Sequence, residues 1–304
     1  MNTPDVLIIG SGPAGLTAGI YAGRAGFSVA LLTGIEEGGK LSLTDKIENF
    51  PGFSTGSGLD FITLLEEQTK QVGVLFFNES VQKIDLIHSP FKVDTDVQQW
   101  QPKSVIIAMG TQVKWLNLPG EDTYKGKGIS VCATCDGFFY KNKEVAIIGG
   151  GNTALYETLY LASIVKNIHL LTQNSSLQGE FLLRQKVLSL KNVHIQYNTK
   201  ISGFVGSEKL TGLKIQNKAD TKEKILAVDG CFEAVGFVPN SHLFLNQLQL
   251  TKAGYIKTNK QTMTTNIQGV FACGDIQETH YRQALIAAAS GARAAMSAEG
   301  YLRS

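Results

Sequence analysis

Asp5-Val6-Leu7-Ile8-Ile9-Gly10-Ser11-Gly12-Pro13-Ala14-Gly15 is the stretch that decides the fold. Val6 to Ile9 is apolar without alternation, as in a strand buried on both faces of a parallel sheet. Glycines follow directly. Gly10 permits a tight turn and Gly12 lets the backbone approach a pyrophosphate. Gly15 lets the next helix pack close to the strand, with the phosphates at the N-terminus of that helix, where Pro13 and Ala14 stand. Leu16 to Arg24 reads as that helix, and Gly19 and Gly23 extend its close-packing face. Ser28 to Leu32 is the second strand. A GxGxxG string inside a strand–helix–strand unit reads as a dinucleotide-binding turn.

The same pattern returns later. Glu144 to Ile148 is a strand, followed by Gly149-Gly150-Gly151-Asn152-Thr153-Ala154, a helix from Leu155 to Ile164 and a strand from Ile168 to Leu171. This GxGxxA turn makes Gly149, Gly151, Asn152, Thr153 and Ala154 candidates for a second nucleotide site. Just before it lies Cys132-Ala133-Thr134-Cys135-Asp136. Two thiols at this spacing can close a disulfide, accept two electrons and pass them on by thiolate exchange. Half of a zinc site has the same spacing. A closed site needs about four N or S ligands, and Cys231 and Cys273 are isolated, with no histidine at ligand spacing. A carboxylate, Asp136, follows the second cysteine directly.

The 304 residues suggest two domains, at about 150 residues each. A net charge of +2 gives no field of the kind that binds nucleic acid. Four cysteines, two of them in one CxxC, fit a reducing compartment better than a stapled secreted domain. There is no basic, cleavable leader and no apolar run near the ~18 residues of a membrane span. The expectation is therefore a cytoplasmic protein without membrane or nucleic acid partners.

Between the two turns lies an irregular stretch containing Gly38-Gly39-Lys40-Leu41 and Glu48-Asn49-Phe50-Pro51-Gly52. A long loop of this kind suits contact with a large cofactor. Leu59 to Val72 reads as an amphipathic helix, apolar at Leu59, Ile62, Leu65 and Val72. Strands are expected at Val74–Phe77, Val81–Asp85 and Phe91–Asp94, with a buried strand over Val105–Met109 ending at Gly110. Ile201 to Val228 reads as hairpins. Cys231 to Gly236 is a strand running into glycine, with Cys231 in the core. Gly269 to Asp275 is another buried strand, ending at Gly274 and Asp275. The latter can accept hydrogen bonds from a ribityl hydroxyl. Tyr281-Arg282-Gln283-Ala284 opens a long helix, Leu285 to Tyr301, whose first N–H groups can stabilise negative charge. None of the five histidines is assigned chemistry.

Taken together these motifs resemble the low-molecular-weight, bacterial-type thioredoxin reductases along essentially the whole chain. The most specific match is Cys132 to Tyr140. The resemblance implies an α/β protein of two Rossmann-like, three-layer ββα dinucleotide-binding domains, the second inserted in the first. It divides the chain into an FAD-binding domain (1–114 and 243–304) and an NAD(P)H-type domain carrying the CxxC (115–242). It also implies a homodimer, domain rotation and a thioredoxin-like partner. Cys132 and Cys135 match the redox pair and Asp136 the proton-handling acid. Cys135 would face the flavin and Cys132 would attack the partner. Gly10, Gly12, Pro13, Ala14, Gly15, Gly39, Lys40, Leu41, Asn49, Gly110, Gly274, Asp275, Arg282, Gln283 and Ala284 fall on the flavin side.

The chain departs from that family at its second site. Where the family carries a basic cluster for the 2′-phosphate of NADPH, this chain has Thr172-Gln173-Asn174-Ser175-Ser176-Leu177-Gln178. It also lacks the acid that NAD recognition usually employs at the strand end. Tyr156 stands in place of an acid, Lys40 in place of glutamine and Met109 in place of threonine. A cation close to a flavin would raise its potential. Two readings of the donor follow. One is NADPH or NADH with relaxed specificity. The other is a reduced ferredoxin, a flavodoxin or a second flavin stacked on Tyr156. A third reading, from another class, is a non-catalytic flavin redox sensor, against which the intact CxxC-Asp argues. A peroxiredoxin-system reductase would carry an additional N-terminal domain with its own CxxC.

Overall fold

The computed structural model describes residues 2–34, 37–44, 46–220 and 222–304. The chain forms two compact units, Met1–Gln112 with Val238–Ser304, and Val113–Phe237. The sequence places the breaks at 114/115 and 242/243. In the structure the divisions fall inside two short strands, Thr111–Val113 and Phe237–Pro239.

Among the described residues, the first unit is built on a parallel sheet in the order Val270–Ala272, Ser104–Ile107, Val6–Ile9, Val29–Leu32, Leu75–Phe77. The unbroken apolar run has its physical reason here. Val6 and Ile8 join a core under the helices, whereas Leu7 and Ile9 join a second core on the opposite face. Each fully buried side chain of this kind contributes about 1.5–3 kcal/mol. The helices Pro13–Arg24, Gly58–Gln71 and Ala284–Arg303 supply the first core. The antiparallel strands Val81–Asp85, Lys92–Thr95 and Gln99–Trp100 supply part of the second. The C-terminal helix lies unusually close to the glycine-turn helix, because Gly291 faces its backbone. A Cβ there would stand 2.1 Å from the Ala14 carbonyl oxygen.

The expected Leu59–Val72 helix spans Gly58–Gln71, but its buried face differs. Leu59 is 60% exposed, while Phe61 is buried with Ile62. Phe61 is drawn inward by aromatic partners, its ring centroid lying 4.5 Å from that of Phe50 and 5.2 Å from that of Phe53. The Phe50-Pro51-Gly52 stretch is thereby anchored to the helix. A Ser57/Asp60 capping box sets where the helix begins.

The second unit repeats the plan. Its parallel sheet runs Val193–Gln196, Asn167–Leu171, Glu144–Ile148, Gly230–Glu233, Ile129–Ser130. Val145 and Ile147 face the core under the helices Asn152–Leu161 and Phe181–Leu188. Ala146 and Ile148 face the core shared with an antiparallel sheet of Thr199–Gly206, Leu210–Asn217 and Lys224–Ala227. Each unit is therefore three layers, helices on a parallel sheet on an antiparallel sheet, and the α/β, doubly Rossmann-like expectation holds.

Candidate dithiol centre and nucleotide sites

In the first unit the GxGxxG turn is enforced by space. Gly10 has φ +110°, and a Cβ there would lie 2.5 Å from the Ala108 carbonyl oxygen. A Cβ on Gly15 would stand 1.8 Å from the carbonyl oxygen of Gly10. Gly12 caps the helix with no side-chain acceptor, and Pro13 opens it. The first N–H groups of that helix thus carry no internal side-chain cap, as anion binding requires. Ser11, absent from the sequence-based list, accepts the Gly38 N–H at 2.9 Å and holds the Gly38–Gly39 turn against the glycine loop. Gly39 follows at φ +61° and begins a 3₁₀ turn through Leu43, which carries Lys40 and Leu41.

Residues far apart in the chain meet at this turn. Lys40 Nζ lies 2.9 Å from Asp275 Oδ2 and donates to Thr111 Oγ1 at 2.7 Å. The expected ribityl acceptor is therefore also the partner of a cation, and the Lys40 charge is balanced within the unit. Asn49 Nδ2 donates to Gln283 Oε1 at 3.1 Å. Arg282 donates to the Tyr255 hydroxyl at 2.9 Å, and Gln283 caps the helix that Ala284 begins. Gly274 packs where a Cβ would stand 2.9 Å from Ala14 Cβ, and its N–H donates to Ser290 Oγ. Gly110, at φ +61°, follows Met109, whose carbonyl accepts from Asn240. A Cβ-excluding cradle at a helix N-terminus, flanked by these polar groups, fits a dinucleotide such as FAD.

In the second unit Cys132 and Cys135 are joined as a disulfide. Cys132 opens a single helical turn, and its carbonyl accepts from the N–H groups of Cys135 and Asp136 at 3.2 and 3.1 Å. Asp136 Oδ2 accepts from Ser130 Oγ at 2.5 Å. The other two cysteines lie apart, Cys231 in the core of this unit and Cys273 in the core of the first. Burial pushes the Cys231 thiol well up and the Cys273 thiol up to about 12.

The GxGxxA turn of this unit lines a cleft of about 420 Å³, together with Leu116, Thr172, Gln173, Asn174 and the Ala234–Gly236 stretch. Gly149 has φ +148°, and a Cβ there would meet the Ala234 carbonyl oxygen at 2.6 Å. Asn152 is tied by both side-chain atoms to Glu180, and the Gln178 N–H donates to the Gly150 carbonyl at 2.6 Å. Thr153 lines the cleft, Ala154 is buried beneath it and Tyr156 is 47% exposed on the helix.

Sequence reading missed a buried acid under this cleft. Glu233 is 2% exposed at the end of its strand. Its Oε2 accepts from the Leu116 N–H at 3.2 Å, and Oε1 has no partner among the described residues. Burial, and then the neighbouring Glu121 carboxylate, push Glu233 up to about 7 from an ordinary 4.5. Its preference for the neutral form contributes fully below about pH 4.5 and is lost as pH rises through about 7. The difference amounts to about 3 kcal/mol. Glu233→Gln keeps an acceptor for Leu116 and cannot ionise. Its urea midpoint should therefore exceed that of the wild type at pH 8 and match it at pH 4.5. Parallel midpoints across that range would show that Glu233 is not held in its neutral form.

Comparison with known proteins agrees with this geometry. Residues 4–291 match the family model described as pyridine nucleotide-disulphide oxidoreductase. The chain is 41% identical to a thioredoxin reductase of Buchnera aphidicola subsp. Schizaphis graminum, covering 100% of this chain and 98% of that one. It is 39% identical to the Rickettsia felis thioredoxin reductase, over 99% and 98% of the two chains. Among solved structures, thioredoxin reductase from Giardia duodenalis superposes with a TM-score of 0.95 at 34% identity, covering all of both chains. Two glycine-cradled units and a CxxC disulfide, matched end to end by these relatives, place the chain in the pyridine nucleotide-disulphide oxidoreductase family, among its thioredoxin reductases.

Proposed function

We propose that this chain is a flavin-dependent disulfide reductase whose Cys132–Cys135 pair reduces thioredoxin or a thioredoxin-like protein. The observation that carries the reading is the disulfide itself, formed at a CxxC with a carboxylate next in sequence. The first unit would hold FAD through Gly10, Gly12, Pro13, Ala14, Gly15 and Gly39, with Lys40, Leu41, Asn49, Gly110, Gly274, Asp275, Arg282, Gln283 and Ala284 around it. When bound, FAD supplies two-electron redox chemistry to the pair. The second unit would take the donor nucleotide at Gly149, Gly151, Asn152, Thr153 and Ala154, beside Tyr156. A homodimer in the cytoplasm completes the proposal.

Once the pair is reduced, the chemistry is thiol–disulfide exchange. The Cys132 thiolate attacks one sulfur of the partner's disulfide, forming a mixed disulfide and expelling the other partner sulfur as thiolate. Cys135 then attacks Cys132 Sγ, which closes the internal disulfide and releases the second partner sulfur. Two electrons pass to the partner, and its two sulfurs leave as thiols. The protons come from the dithiol through Asp136.

The test uses FAD-loaded protein reduced with dithiothreitol, freed of reductant and mixed with oxidised thioredoxin. About one thioredoxin disulfide should be opened per dithiol, counted by alkylation. If thioredoxin gains no thiols, the proposal fails.

A further inference from the structure

Ser130 is the last residue of the Ile129–Ser130 strand and is 7% exposed. The strand lies parallel to Gly230–Glu233, with Ser130 opposite Phe232, so the hydroxyl projects from a fixed sheet position. Both of its hydrogen-bonding capacities serve the dithiol segment. The O–H donates to Asp136 Oδ2 at 2.5 Å, and the oxygen accepts the Cys132 N–H at 3.1 Å. A hydroxyl is the smallest group that can make both bonds at once. One side chain thus connects the backbone of one cysteine to the carboxylate that follows the other.

We propose that Ser130 is a positioning residue for the exchange reaction. It aims the Asp136 carboxyl at the departing sulfur and fixes the start of the Cys132 turn. The idea rests on the disulfide-reductase reading and adds a residue to it. The proton transferred at each exchange step moves between Asp136 and a sulfur, and Ser130 gains and loses none. Its donated bond favours the ionised carboxylate, so removing it should raise the pH at which Asp136 titrates.

Other titratable groups face this centre. Tyr140 is pushed up to about 12 by burial, then by Asp136, Cys231 and Asp229. Cys231, which faces Glu233, Glu121 and Glu157, is pushed well up by burial. Asp229 accepts from the Glu144 N–H. Glu233, pushed up to about 7 by burial, would titrate beside the dithiol in the assay range, so the profiles are taken in a Glu233→Gln background.

The experiment measures single-turnover exchange of the pre-reduced, FAD-loaded protein against pH. One arm uses oxidised thioredoxin and the other bis(2-hydroxyethyl) disulfide, whose alkyl thiolate must also be protonated. Ser130→Ala should slow both reactions about 10- to 100-fold and move the alkaline limb up by about one pH unit. Ser130→Thr, which keeps the hydroxyl, should restore both. In an Asp136→Asn background, Ser130→Ala should leave only the smaller loss that comes from the Cys132 turn, with no shift of the profile. An unshifted profile, or an equal loss with and without Asp136, would overturn the proposal. Exchange with the small disulfide but not with thioredoxin would refute the thioredoxin reading while still testing Ser130.

Discussion

Cys135→Ser will lower turnover with thioredoxin to background, by at least about a thousandfold, while FAD stays bound. Serine preserves the local geometry, since the N–H of residue 135 still donates to the Cys132 carbonyl. The variant loses the second electron-carrying sulfur. Cys132 can still attack a partner disulfide, but nothing remains to resolve the mixed disulfide from within. The variant should therefore accumulate a covalent 1:1 adduct with thioredoxin, visible on a non-reducing gel and released by dithiothreitol. Cys132→Ser should abolish turnover without trapping the partner. If both variants trapped it equally, the roles given to the two sulfurs would be wrong. Retained catalysis in Cys135→Ser would remove the dithiol from the mechanism altogether.

Much of the fold is legible in the sequence because its determinants are local. Val6–Gly15 and Glu144–Ala154 each carry strand, turn and helix start in about ten residues, and no distant contact is needed to read them. The dithiol is equally local. What the sequence conceals depends on which distant segments meet. Lys40 reads as an unbalanced cation near a cofactor, whereas Asp275, 235 residues away, pairs with it. Leu59 fits the apolar stripe of its helix, yet the rings of Phe50 and Phe53 draw Phe61 inward instead. Ser130 is an ordinary serine until the turn at Cys132 brings Asp136 back onto it. Glu233 looks out of place in a buried strand, and that misfit between residue type and pattern is a signal by which it could have been found.

NADPH will bind this protein no more tightly than NADH, and the reason lies along Thr172–Gln178. Thr172 is buried, with its Oγ1 accepting the Asn174 N–H at 3.3 Å and its carbonyl accepting from Thr199. With the Gln178–Gly150 bond, these contacts hold the stretch beside the glycine turn. Gln173, Asn174, Ser175, Ser176 and Gln178 are left exposed, and all are neutral. A 2′-phosphate there would exchange water for uncharged amides and hydroxyls. Hydrogen bonds to charged groups contribute about 1.5–3 kcal/mol each, so the lack of two or three cationic donors weakens NADPH by at least about a hundredfold. Gln173→Arg combined with Asn174→Arg should recover about that factor for NADPH and leave NADH within about threefold. Dissociation constants from quenching of flavin or tryptophan fluorescence report both numbers. A wild-type protein that binds micromolar NADPH tenfold better than NADH would refute the argument, because the phosphate would then have a cationic partner outside this stretch. If neither nucleotide bleaches the flavin of the wild type but NADPH bleaches that of the arginine pair, the cleft still forms a nucleotide site. The natural electrons would then enter from a reduced ferredoxin, a flavodoxin or a second flavin.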